Sequence, residues 1–350
     1  MKPPPPLSVY HLRGAQPLEY SSRGVRERAL ACVAFDNSVA QAELAAIPLV
    51  QVNTAVLGSD EAPLELWCAE GKVSSGEFES GQYRYNNELL FGHVTLAESD
   101  FIAVKSESAE SIPPLQQATN SAFRAIFNLL DQLGYPHMLR IWNYFPAINV
   151  ESYELERYRQ FNVGRQQAFV ACGRSLTEDI PAACALGTAG GALVIYFIAL
   201  RGKPLAIENP RQVSAYHYPA DYGPSEPTFS RASLAQINGQ EVLFISGTAS
   251  IIGYRSVHIG DVLAQTKETL ANIKAVVKEA NKVATKNEYG LNSLSYKVYL
   301  RRPQDFEVVR NMLQEVVGSD VQATYLEADI CRQDLLVEIE AIAGIPFETL

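Results

Sequence analysis

Apolar positions along this chain alternate between two periods. Leu89-Leu90-Phe91-Gly92-His93-Val94 is an apolar run of strand length. After it, Ala122, Ile126, Leu129, Leu130 and Leu133 recur at helical spacing, and Gly134 and Pro136 supply the stop. Leu139-Arg140-Ile141-Trp142-Asn143-Tyr144 then predicts a strand ending at Pro146. The second half repeats this order. Val242-Leu243-Phe244-Ile245-Ser246-Gly247 predicts a strand, and a helix starting near Asp261 carries Leu263, Leu270, Ile273 and Val277 on one side. Ser295-Tyr296-Lys297-Val298-Tyr299-Leu300 predicts a second strand. A helix with Phe306, Val309, Leu313 and Val316 follows and stops at Gly318, and a last strand runs from Leu336 to Ile342.

Strands and helices alternating in this way predict sheets covered by helices. The repeated order predicts two related α+β units, residues 1–155 and 156–350, with the junction inside residues 150–165. An irregular stretch at residues 209–230, rich in Pro and Tyr, is too long for a plain connection. Its Tyr216, Tyr218 and Tyr222 predict an ordered, pocket-lining segment.

Composition removes several function classes. The 350 residues carry a net charge of -10, which argues against a nucleic-acid or anionic-membrane surface but leaves room for a locally basic pocket. The most apolar run, from Leu193 to Leu200, is of strand length and carries Tyr196, so no membrane span is expected. Met1-Lys2-Pro3-Pro4-Pro5-Pro6 is followed by no apolar core, so no export signal is expected, and the prolines predict a stiff, disordered lead-in. Cys32, Cys68, Cys172, Cys184 and Cys331 are odd in number, scattered and without a CxxC pair, which fits a reducing cytoplasm. His11, His93, His137, His217 and His258 show no metal-ligand spacing. Gly187-Thr188-Ala189-Gly190-Gly191 precedes a strand, so it predicts a turn rather than a dinucleotide loop. Neither a P-loop nor a GxSxG elbow occurs. No metal or organic cofactor is therefore expected, and the chemistry falls to carboxylate, arginine, tyrosine and thiol.

Three groupings could carry it. Glu156-Arg157-Tyr158-Arg159, continuing to Arg165, gathers three arginines and a tyrosine at the expected junction. Guanidinium forks match carboxylates, although a solvated charged linker would read the same. Val213-Ser214-Ala215-Tyr216-His217-Tyr218 with Phe229-Ser230-Arg231 could hold a second anion, or simply pack the loop. In the last strand, alternation puts Val337, Ile339 and Ala341 on one face and Leu336, Glu338, Glu340 and Ile342 on the other. Two neighbouring carboxylates in an apolar strand would raise a pKa if buried, whereas on an edge strand both would lie in water.

Taken together, these residues resemble the chorismatase family. The resemblance rests on Arg140-Ile141-Trp142-Asn143-Tyr144 with Ile148-Asn149, on Tyr158-x-x-Phe161-x-x-Gly164-Arg165, and on Ser214-Ala215-Tyr216-x-Tyr218-Pro219. Phe229-x-Arg231-Ala232 and Ile245-Ser246-Gly247-Thr248-Ala249-Ser250 extend it, so that it covers most of the chain from about Tyr83 onward. The C-terminal half also resembles the RidA (YjgF) fold through Gly260-Asp261, Thr269-Leu270-x-Asn272-Ile273 and Glu338-Ile339-Glu340-Ala341-Ile342-Ala343. The resemblance implies two RidA/YjgF-like (chorismate-mutase-like) domains with the active site in the cleft toward the C-terminal one. It implies chorismate as the small-molecule substrate, no cofactor, and pyruvate with 3-hydroxybenzoate as products, alone or with 4-hydroxybenzoate. Arg165 and Arg231 would clamp carboxylates, Tyr158 and Tyr216 would add phenolic hydrogen bonds, and Glu338 would protonate the enol ether. Gly247 and Cys331 fit the pattern of the benzoate-forming branch, where another branch adds water. The alternatives are a RidA-like enamine or imine deaminase, or a non-catalytic small-anion binder. Ala323 stands where the deaminases keep an arginine. Two fused units lessen the need for a trimer, so a monomer is expected.

Overall fold

The computed structural model describes residues 4–12, 23–35, 47–59, 64–79, 81–105 and 111–349. Two seven-stranded mixed sheets, each with helices on one face, carry most of the chain. In the first the strand order is Asp329–Ile330, Ala182–Thr188, His137–Pro146, Leu193–Leu200, Leu89–Leu96, Gly81–Tyr85, Ser74–Phe78. In the second it is Leu205–Ile207, Ala232–Ile237, Gln240–Ala249, Val337–Ala343, Ser295–Leu300, Gln322–Glu327, Val56–Leu57. The α+β class and the repeated plan expected from the sequence are both present.

Each helix follows from its pattern. Pro114–Leu133 begins with proline in its first turn, buries Ala122, Ile126, Leu129 and Leu130, and ends at Gly134 with φ 73°. Val262–Val283 starts where the Asp261 carboxylate accepts the Ala264 N–H at 3.0 Å. Its Leu270, Ile273 and Val277 pack with Val309 and Leu313 of the helix Phe306–Val317 against the second sheet. Leu263 and Val316, expected on the same faces, lie in terminal turns and are exposed.

The expected division at residue 155 is not where the sheets divide. The helix Arg157–Ala171 and the strands Ala182–Thr188 and Leu193–Leu200 all belong to the unit that begins at Ser74. The charged segment is therefore neither a linker nor a junction. It is a helix packed on Pro114–Leu133 so closely that a Cβ on Gly164 would collide with the Gln116 carbonyl oxygen.

A third sheet, not expected from the sequence, runs Phe347–Thr349, Leu7–Leu12, Leu64–Ala69, Ala29–Phe35, Leu49–Val52. Its Trp67 lies 5.7 Å from Trp142 and 6.4 Å from Phe244, joining one core with both larger sheets. Met1, Lys2 and Pro3 of the expected lead-in lie outside the described residues. Pro6 is tied down, its carbonyl accepting the Glu70 N–H at 3.0 Å. Among the described residues no helix is long and apolar enough to cross a membrane. The five cysteines are free.

Candidate active site

The strand Val337–Ala343 is central in its sheet, paired with Gln240–Ala249 on one side and Ser295–Leu300 on the other. Alternation sends Val337, Ile339 and Ala341 into the helix-covered core. Glu338 and Glu340 point the opposite way, both buried, at 3% and 2% exposure. The edge-strand reading is thus excluded. Glu338 pairs with Ala249, and opposite Glu340 the partner strand shifts register between Ile245 and Thr248, a bulge that takes in Ser246 and Gly247. The Ser246 hydroxyl accepts the Ala183 N–H at 2.8 Å and donates to the Ser230 carbonyl at 2.6 Å, fixing the bulge against the first sheet. A Cβ on Gly247 would collide with Glu338 Oε1 and stand 2.7 Å from its Cδ. Glycine at 247 therefore makes room for the acid itself.

The two carboxyls, though neighbours, have different surroundings. Glu340 is gripped by Arg140, by the Trp142 Nε1–H at 3.0 Å and by Lys297 at 3.4 Å. Burial pushes Glu340 up, but Arg140 and Lys297 outweigh it and hold the carboxyl below the usual range. Lys297 also pairs with Glu65 at 2.9 Å, so two cations and two carboxylates balance. Glu338 forms no ion pair among the described residues, and its one hydrogen-bond neighbour is the Cys331 thiol at 4.0 Å. Burial, then the charge of Glu340, pushes Glu338 up to about 8. Burial also pushes the Cys331 thiol up to about 12, which keeps it protonated.

Glu338 and Cys331 open into a cavity of about 700 Å³ between the two larger units. Tyr158, Arg231 and Gly247 line it too. Arg231 donates to the Val213 carbonyl at 2.8 Å and the Tyr218 hydroxyl at 2.9 Å, has a buried, unpartnered Nε, and forms no ion pair among the described residues. Arg332, which the sequence reading passed over, faces the same space. It donates to the Tyr254 carbonyl at 2.8 Å and its guanidinium lies 4.2 Å over the Tyr222 ring, again without a carboxylate partner among the described residues. The signal for Arg332 was its position beside Cys331 in the turn at residues 331–334.

Two predicted residues stand back from the lining. Arg165 is buried, bonded to Asn162 Oδ1 at 2.8 Å and stacked 5.2 Å over Phe161, with an unpartnered buried Nε. It lies close enough to Tyr158 for its charge to oppose the upward push of burial on that phenol. Tyr216 packs against the helix side of the first sheet, alongside Tyr158 and Phe229. Tyr218, two residues on, is the loop tyrosine that reaches Arg231. The loop at residues 209–230 is ordered, with short 3-10 turns at Ala215–His217 and Ala220–Tyr222.

A smaller cavity of about 300 Å³ lies between the third sheet and the second, lined by His11, Glu65, Lys297, Ala323 and Glu340 among others. Its lysine and carboxylates pair with one another, and Ala323 brings no cation. Among the described residues no cluster of His, Cys, Asp or Glu could hold a metal ion.

A family model described as "Chorismatase FkbO/Hyg5-like, N-terminal" matches residues 65–199, and one described as "Endoribonuclease L-PSP" matches residues 226–345. The chain is 36% identical over 309 residues to a 3-hydroxybenzoate synthase of Streptomyces hygroscopicus, covering 84% of this chain and 85% of that one. It is 37% identical over 292 residues to a chorismatase of Streptomyces rapamycinicus, covering 81% and 83%. A crystal structure of a chorismatase superposes with a TM-score of 0.83 at 32% identity, covering 96% of this chain and 98% of that one. The fold and these matches place the chain among two-unit enzymes with a RidA-like C-terminal domain. It belongs to the chorismatase family.

Proposed function

We propose that the large cavity binds chorismate, that Glu338 is the general acid, and that the products are pyruvate and 3-hydroxybenzoate. The observation that carries this reading is a buried carboxyl whose pKa is raised to about 8, facing a cavity with two arginines that form no ion pair among the described residues. A group with that pKa still holds its proton at neutral pH and can give it up there. Chorismate brings two carboxylates, which suit Arg231 and Arg332, and Arg165 adds positive charge from behind Tyr158. Glu338 gives its proton to the terminal methylene carbon of the enol ether. The resulting oxocarbenium weakens the bond between the ether oxygen and the ring. When the neighbouring ring hydroxyl displaces that oxygen and a ring proton is lost, pyruvate and 3-hydroxybenzoate account for every atom, with no water consumed.

Cys331 suits the second proton movement. Its protonated thiol lies 4.0 Å from Glu338 Oε2 and can pass a proton to the spent carboxylate while taking one from the ring. Water attack on the oxocarbenium would instead leave a dihydroxycyclohexadiene carboxylate. The family resemblance, Gly247 and Cys331 favour the benzoate. A deaminase reading lacks a guanidinium at residue 323, and a passive anion binder gives no role to a buried, proton-holding carboxyl facing the cavity. Two fused units and a third sheet within one chain favour a monomer, which sedimentation checks. Mixing the protein with chorismate, following pyruvate and separating the aromatic products tests the reading. Absence of pyruvate rejects it, and a diene diol as the sole ring product moves the enzyme to the water-adding branch.

A further inference from the structure

The cluster around Glu340 has no part in the reaction just described, yet it is the largest assembly of buried charge in the described chain. Arg140 from the first sheet, Lys297 from the neighbouring strand, and Glu65 with Trp67 from the third sheet all converge on or beside it. All three sheets thus contribute to holding one carboxylate, two residues from the acid on the same strand face. That spacing is about 7 Å along a strand.

We propose that Glu340 is a positioning residue for the acid: its carboxylate, locked by Arg140, Trp142 and Lys297, is the fixed negative charge against which Glu338 keeps its proton. This rests on the reading of Glu338 as the acid. The other groups facing Glu338 support the assignment. Tyr299 pairs with Glu338 across the sheet, Cys184 comes from the strand Ala182–Thr188, Tyr158 from the helix Arg157–Ala171, and Cys331 from the turn. All four are pushed upward, with burial the largest cause, and stay neutral. Gly247 and Ala249 on the remaining strand carry no charge. The charged groups are Glu340, which favours the proton, and Arg140, which opposes it, with Lys297 beside Glu340 and Arg159, Arg231, Arg255, Arg332, Glu156 and Asp334 around the cavity. Removing the Glu340 charge withdraws the one buried carboxylate beside the acid and unmasks Arg140 and Lys297. Both changes favour ionised Glu338.

The test compares wild type with Glu340→Gln and reads where the alkaline limb of kcat for pyruvate release falls. The expected result is a limb moved down by about one pH unit or more, with the low-pH rate retained. A folded variant whose rate drops at every pH while the limb stays in place overturns the proposal, since a purely structural role does that. If Glu340→Gln fails to fold with Arg140 and Lys297 sharing one carboxylate, Glu340→Gln with Lys297→Met keeps one cation against one carboxylate and is read in the same way. A carbon-13 titration of the Glu338 carboxyl, assigned by its loss in Glu338→Gln, gives an answer that needs no turnover. If wild type releases no pyruvate, the acid reading fails, yet this titration still decides whether Glu340 sets the ionisation of Glu338. An unmoved resonance midpoint overturns it.

Discussion

The Glu338 carboxyl occupies the space that a side chain at Gly247 would fill. Gly247→Ala should displace Glu338 and lower kcat sharply, while the circular dichroism spectrum stays that of wild type. An unchanged kcat would show that the carboxyl works from another rotamer. Arg231→Ala and Arg332→Ala should each raise KM. Loss of one charge-assisted contact to a buried carboxylate costs about 2–5 kcal/mol, and an unchanged KM would show that the guanidinium faces away from substrate. Cys331→Ala should still release pyruvate but shift the ring product toward the diene diol. If the cysteine merely packs, alanine lowers stability by about 1–3 kcal/mol and leaves the products alone, which chromatography decides.

At the scale of elements, the sequence was most legible where one face is apolar and the other polar. The helix Pro114–Leu133, the strand Ser295–Leu300 and the alternation around Glu338 all follow their patterns. The helix Arg157–Ala171 hid because its buried face includes Gln160, Asn162, Gly164 and Arg165, so no apolar stripe announces it. The strands Ala29–Phe35 and Leu64–Ala69 hid for the opposite reason: both faces are buried, leaving no alternation to read. Arg332 could be named as a neighbour of Cys331, but its direction depends on a turn that only the fold supplies. Gly164 offers a check on the helix. Gly164→Ala should destabilise the protein by about 1–3 kcal/mol through overpacking against Gln116, measured by denaturant unfolding. An unaffected midpoint would mean that the two helices can part at no cost.

At the scale of the molecule, each sheet borrows from distant sequence. Asp329–Ile330 joins the first large sheet, Val56–Leu57 the second, and Phe347–Thr349 pairs with Val9, Tyr10 and His11 in the third. These exchanges explain why a division at residue 155 does not describe the units. The -10 net charge of the chain is equally uninformative about the cavity, which Arg231 and Arg332 line. The central claim is that Glu338 supplies the proton that breaks the enol ether. Pyruvate release from chorismate by wild type and Glu338→Gln, followed across neutral and alkaline pH, tests it most directly. The account predicts a wild-type rate that falls as pH rises through about 8, because only the protonated carboxyl donates, and almost no pyruvate from a folded Glu338→Gln. Wild-type turnover by that variant would contradict it.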